Sequence, residues 1–211
     1  MRIRRLTIDR FRGLNHLEIF PGPRTLIIGP NNAGKSTVLE ALDLLLHHGI
    51  GRPRPAPSEI DYFGRNTDVE FSIEAVIGEL TLSFSAEVRA HLEGWRDEQH
   101  EVVPETDGDG IEPIVRVRVR GSSDLDAVHE FAKPEAEGAR FSPRLRIELG
   151  WVFDGRIRDP AYQLGFYQGG LLERLFAQER RRALSTQRLL NACRRNLSRQ
   201  VAPSTLSQTQ R

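Results

Sequence analysis

The chain has 211 residues and a mass of 23.9 kDa, 38% of them hydrophobic and 28% charged, which gives room for one large or two small domains and excludes disorder throughout, collagen and a disulfide-stapled miniprotein. Cys193 is the single cysteine, so neither an internal disulfide nor a structural zinc site is open to it; no apolar run approaches the ~20 residues that span a bilayer, and MRIRRLTIDRFRGL lacks a secretory core, so a soluble, cytoplasmic protein with no membrane partner is expected. The formal charge is +1, but nine arginines against Glu173 and Glu179 make the stretch from Leu171 to Arg211 basic and leave an acidic body before it.

Residues 2–8 alternate as Arg-Ile-Arg-Arg-Leu-Thr-Ile, and Leu17, Ile19 and Phe20 follow Gly13, which predicts an edge hairpin turning near Arg12-Gly13-Leu14. Thr25-Leu26-Ile27-Ile28 is a short apolar run ending at Gly29, as expected of a strand buried on both faces. Val38, Leu39, Leu42, Leu45 and Leu46 recur at helical spacing and predict a helix from Lys35 to about His48, ended by Gly49 and a proline-rich stretch. Residues 69–77 alternate as a strand with one wet face. Ser85 is the expected N-cap of a helix reaching about Gln99, residues 104–113 an acidic loop, and Ile114–Arg120 a strand with Arg116, Arg118 and Arg120 on one face. A short helix is expected over Asp124–Phe131, strands over Arg144–Leu149 and Trp151–Phe153, and helix again from Leu171 to about Val201. The expected organisation is a lobe over 1–170, a basic helical segment over 171–201 and a polar tail over 202–211. The order of elements makes it an α/β body with an antiparallel portion.

One motif carries chemistry. Gly29-Pro30-Asn31-Asn32-Ala33-Gly34-Lys35-Ser36 fits G-x-x-x-x-G-K-[ST], placed between an apolar strand and an amphipathic helix. Glycines let successive amide N–H groups, here of Asn31, Asn32, Ala33 and Gly34, point into one concavity, and the helix adds unpaired N–H groups and its positive dipole end. Lys35 can bridge the β- and γ-phosphates of a nucleotide, the Ser36 hydroxyl can ligate Mg²⁺, and Thr37 can touch the α-phosphate. Lys35 is one of only two lysines, the other being Lys133.

The opening Ile8-Asp9-Arg10-Phe11-Arg12-Gly13-Leu14, with Leu26 to Gly29 and the Asn-Asn-Ala-Gly-Lys-Ser-Thr run through Leu42, resembles the N-terminal ATPase lobe of the RecF/SMC class of ABC ATPases. Within that class it is most similar to the overcoming-lysogenization-defect (OLD) family of ATP-dependent nucleases and AAA-type proteins. The strong likeness covers about residues 1–48, with a weaker one through Asp61-Tyr62-Phe63-Gly64, residues 69–77 and Trp151–Phe176. The resemblance implies a P-loop NTPase fold with a mixed and antiparallel sheet, and ATP with Mg²⁺ as ligands. It implies that Arg12 reaches the nucleotide phosphates or ribose, against the plainer reading of an exposed turn arginine. It also implies a loop glutamine that helps hold Mg²⁺ and the attacking water. Gln168, in Phe166-Tyr167-Gln168-Gly169-Gly170-Leu171, is the candidate and Gln163 the reserve; a polar turn residue is the alternative.

A complete head of this class has a Walker B strand ending in Asp-Glu and a signature motif. The nearest stretch, Gly150-Trp151-Val152-Phe153-Asp154-Gly155, holds one carboxylate, and Asp-Gly reads as a turn. Leu206-Ser207-Gln208 echoes the signature without its glycines, and no nuclease-type carboxylate cluster is visible. The expectation is an incomplete head lacking its Walker B half, weak or inactive in hydrolysis alone, that forms a homodimer or joins a partner carrying the second half. Arg180, Arg181, Arg182, Arg188, Arg194, Arg195 and Arg199 are a candidate DNA contact, sequence-blind for want of interleaved aromatics. The Arg116–Arg120 stripe reads as a solvated or edge-protecting face. The histidines show no ligand spacing and are expected to face solvent, and Trp95 and Trp151 to lie in the core. A rival reading is a small P-loop regulatory or interaction module without catalysis.

Overall fold

The computed structural model describes residues 1–47, 56–136 and 138–153, with the isolated positions Phe176 and Glu179. The basic segment 171–201, the tail, Gln163, Gln168 and Asp154 fall outside the described residues, those two positions apart. Among the described residues no helix is long and apolar enough to cross a membrane.

Seven strands make one sheet. They are β1 (Arg2–Phe11), β2 (Leu14–Ile19), β3 (Phe71–Gly78), β4 (Leu92–Arg96), β5 (Glu101–Val103), β6 (Ile111–Gly121) and β7 (Ala127–Phe131). Their order is β2-β1-β3-β6-β4-β5, with β7 also paired to β6. Every described pair is antiparallel. The long strand β6 meets β3 along one edge, and on its other edge meets β4 over Ile111–Val115 and β7 over Val117–Gly121. Among the described residues up to 153 the helices α1 (Lys35–Leu46), α2 (Leu82–Glu87) and α3 (Pro143–Leu149) accompany the sheet. The architecture is α/β with an antiparallel sheet, as expected of this lobe.

Side-chain alternation divides the sheet into two unlike faces. Leu6 and Ile8 of β1, Ile73, Ala75 and Ile77 of β3, and Val115, Val117 and Val119 of β6 form the main core with Val38, Ala41, Leu42 and Leu45 of α1. The opposite face is an ionic ladder. Arg116 makes a bidentate pair with Glu93, both bonds 2.8 Å. Arg118 and Arg120 both reach Glu130, at 2.7 and 2.9 Å, and Arg5 meets Glu74 at 3.4 Å. The arginine stripe, expected as a solvated or edge-protecting face, lies instead half-buried on an interior strand opposite carboxylates. The wet face expected of β3 is this same ladder, with Ser72 and Glu74 half-buried.

Four other segments depart from expectation. Thr25–Ile28 joins no strand, and Leu26 and Ile28 are 82% and 83% exposed; an apolar run makes a buried strand only where neighbours supply both faces. The helix expected from Ser85 stops early: Thr81, not Ser85, caps α2, and the chain then forms the β4–β5 hairpin. There Glu93 faces Arg116, and Trp95 packs with Val76 and Ile114, so tertiary partners override the helical spacing of Val88, Leu92 and Trp95. Residues 127–131 are strand rather than helix, because Glu130 belongs to the ladder. Residues 144–149 are helix rather than strand: Ser142 caps α3, Pro143 occupies its first position and Gly150 closes it at φ 75°.

Candidate phosphate-binding site

The site is built at the junction of an exposed loop and α1. Residues 29–33 are exposed and curl rather than extend: the Ala33 N–H donates to Pro30 O at 3.3 Å, and Asn32 and Gly34 take left-handed φ of 64° and 84°. Gly34 is the N-cap of α1 and supplies no side-chain cap. Intrahelical bonding begins with Val38 N–H to Gly34 O at 3.1 Å, so the N–H groups at positions 35–37 are left facing out of the helix end. A Cβ added at Gly34 would stand 3.0 Å from Leu14 Cδ2. The φ of 84° favours glycine there, and the contact sets the Leu14 side chain of the β1–β2 hairpin against the loop.

Lys35 Nζ lies across this curl, donating to Gly29 O at 2.8 Å and Pro30 O at 2.5 Å. Its ammonium is therefore held against the carbonyls at the start of the loop. Ser36 is exposed and Thr37 half-buried at the helix start. No cluster of three His, Cys, Asp or Glu side chains that could hold a metal ion occurs among the described residues. Asn31, Asn32, Ala33, Gly34, Lys35, Ser36 and Thr37 are thus brought together in an arrangement that fits a phosphate group.

Arg12 stands apart from them. Its Nε donates to Asp61 Oδ1 at 2.8 Å, and its Nη1 is ion-paired with Glu40 of α1. The Arg12 N–H donates to Asp61 O at 2.9 Å, and Phe11 bridges to Tyr62. Tyr62, whose hydroxyl donates to Ser122 O, is buried against Phe71 in an edge-on contact at 5.1 Å. Burial, with the neighbouring Asp61 charge, raises the Tyr62 phenol above its ordinary value and keeps it a donor. Neither Glu40 nor Asp61 was singled out from sequence. The one available signal was Ser58 three residues before Asp61, the spacing at which the Ser58 N–H donates to Asp61 Oδ2 at 3.0 Å.

The histidines are less uniform than expected. His16 is exposed beside Asp9, but His91 stacks on Phe131 at 3.9 Å and His129 Nε2 lies 2.9 Å from Leu44 O. Trp95 is in a core as expected, and Trp151 is half-buried with its Nε1–H donating to Asp43 Oδ1 at 3.2 Å. A cavity of about 620 Å³ lined by Ile3, Pro21, Leu46, Ile77 and Trp151 lies toward the far end of α1 and includes none of residues 29–37.

Three similarities to known proteins accompany this geometry. Residues 1–101 match the family model of the AAA ATPase domain. An OLD nuclease from Thermus scotoductus is 48% identical over 44 residues, a stretch that is 21% of this chain and 8% of that nuclease. This chain therefore matches under a tenth of that relative's length. A solved chain from work on ATP-driven dimerization and DNA-stimulated activation of SMC ATPases superposes with a TM-score of 0.45 at 16% identity, over 81% of this chain and 89% of that one. That likeness is too loose to carry residue roles. The opening residues are thus similar to the AAA ATPase domain and, over 44 residues, to that OLD nuclease.

Proposed function

We propose that the chain is the ATP-binding lobe of a RecF/SMC/OLD-like ATPase, in which nucleotide binding governs the association of heads and, through it, DNA processing in repair or phage defence. The observation that supports this most is the curl of residues 29–36 running into an uncapped helix start, with Lys35 across its mouth. In this reading the amides of Asn31 to Gly34 cradle the phosphates and Lys35 swings from the loop carbonyls onto the β- and γ-phosphates. Ser36 ligates Mg²⁺, Thr37 meets the α-phosphate, and Arg12 and Gln168 complete the site. The basic segment 171–201 is the surface offered to DNA.

The second half of the head comes from a further copy or a partner. The exposed run Thr25–Ile28 supports this, since Leu26 and Ile28 are apolar and find no strand partner among the described residues. Hydrolysis by this chain alone is weak or absent.

Titration of the purified chain with Mg-ATP tests the reading. Lys35→Ala is expected to weaken binding about tenfold or more, because charge-assisted hydrogen bonds contribute about 1.5–3 kcal/mol. Unchanged affinity rejects the site, and a turnover near ~1 per second by the lone chain rejects the weak-hydrolysis part.

A further inference from the structure

Arg12 takes a left-handed φ of 54°, a conformation disfavoured for any residue with a Cβ, and it is restrained by two carboxylates of unlike character. Asp61 is built into the fold. It is 7% exposed, its Oδ2 accepts from the Ser58 N–H at 3.0 Å and lies 3.4 Å from Ser58 Oγ, and its carbonyl receives the Arg12 N–H. It cannot follow Arg12 if the guanidinium moves. Glu40 instead rides on α1 four residues after Ser36, so it lies on the same helix face one turn from that hydroxyl. A guanidinium has five N–H donors in a fixed fork. Here Asp61 takes the Nε side and Glu40 an Nη. A triphosphate seated on residues 29–36 brings its charge toward the same end of α1, where it competes with Glu40 and leaves Asp61 untouched.

We propose that Asp61 is a positioning residue that anchors the Nε side of Arg12, and that Glu40 is an exchangeable partner holding the Nη edge beside the loop until a nucleotide phosphate replaces it. The proposal rests on reading Arg12 as a group that faces nucleotide. The two carboxylates then act with opposite sign: Asp61 supports nucleotide binding, and Glu40, which must be displaced, opposes it. A purely structural clamp would give both the same sign.

Calorimetric titration of the full chain with Mg-ATP, with the thermal midpoint of each variant recorded, separates these cases. Arg12→Ala and Asp61→Asn are each expected to weaken binding roughly tenfold, and Glu40→Gln to tighten it by about three- to tenfold, the range for removing or releasing one charge-assisted hydrogen bond. In the Arg12→Ala background Glu40→Gln should change nothing. An equal tightening there would mean simple charge repulsion between Glu40 and the phosphates, and would overturn the exchange, as would a Glu40→Gln variant that binds no better than the parent. A folded Asp61→Asn variant with unchanged affinity overturns the anchor. Should Asp61→Asn fail to fold, the Glu40→Gln pair of measurements decides the exchange by itself. If Arg12→Ala leaves affinity unchanged while Lys35→Ala abolishes binding, the nucleotide-facing reading of Arg12 falls and this proposal with it, whereas the loop assignment stands.

Discussion

At Gly34 the backbone rather than a side chain carries the chemistry. Its φ of 84° turns the loop into α1, and the space where a Cβ would sit is taken by Leu14. An alanine there meets both the left-handed penalty, about 1–2 kcal/mol for an L-residue, and the Leu14 methyl 3.0 Å away. Gly34→Ala is therefore expected to cost about 1–2 kcal/mol of stability and to weaken Mg-ATP binding as well, read from urea midpoints and titration on one preparation. Weaker binding with an unchanged midpoint would mean that the loop tolerates a Cβ and that the methyl blocks the ligand itself. Arg12 shows the contrasting case, a residue with a side chain held at positive φ by its partners, which a glycine at the same position could not recruit.

Among the elements, the β6 ladder decides the most. Glu130 is 1% exposed between Arg118 and Arg120. Burial alone would raise its carboxyl, but hydrogen bonds from Arg120 and Arg118, with their charges, outweigh this and hold it below the ordinary glutamate value. A carboxyl depressed in the folded state contributes stability that is complete above its unfolded value of 4.5 and is lost as pH falls through the folded one. Acid unfolding should accordingly steepen below about pH 4.5, and Glu130→Gln should flatten that slope. The same substitution should cost about 3 kcal/mol at neutral pH, the lower end of the range for breaking a buried pair, because the arginines keep some solvent. A flat profile in the parent would remove Glu130 from the account. The ladder also explains what could and could not be read beforehand. The first hairpin, α1, β3 and β6 were legible because each has a strong period and a local terminator, Gly13 and Gly34 among them. The β4–β5 hairpin and β7 were not, because Glu93 and Glu130 find their reason in arginines 23 and 12 residues away. Ser142-Pro143 before α3 was a legible start signal, yet the alternation of Arg144 to Leu149 argued against it. The loop residues 29–37 are a local motif that one stretch of sequence displays, while the Glu40–Arg12–Asp61 cluster needs three segments brought together in space.

At the scale of the whole molecule, the run Thr25–Ile28 leading into the loop holds the most exposed apolar side chains beside the candidate site: Leu26 and Ile28 stand in solvent, an apolar patch of the kind that invites another chain. Replacing both with serine should leave the thermal midpoint nearly unchanged, since exposed positions contribute within about 0.5 kcal/mol, while lowering any self-association seen in sedimentation. A drop of several degrees would show that these side chains are covered in solution. At its other end α1, about 18 Å long at 1.5 Å per residue, is tied by Asp43 to Trp151. The chain has two tryptophans, and Trp95 is sealed away with Val76 and Ile114. The Trp151 indole, hydrogen-bonded to α1 through Asp43, is thus a native fluorophore at the tail of the lever whose head is the loop, and its emission reports tilting of that lever without a dye or a label.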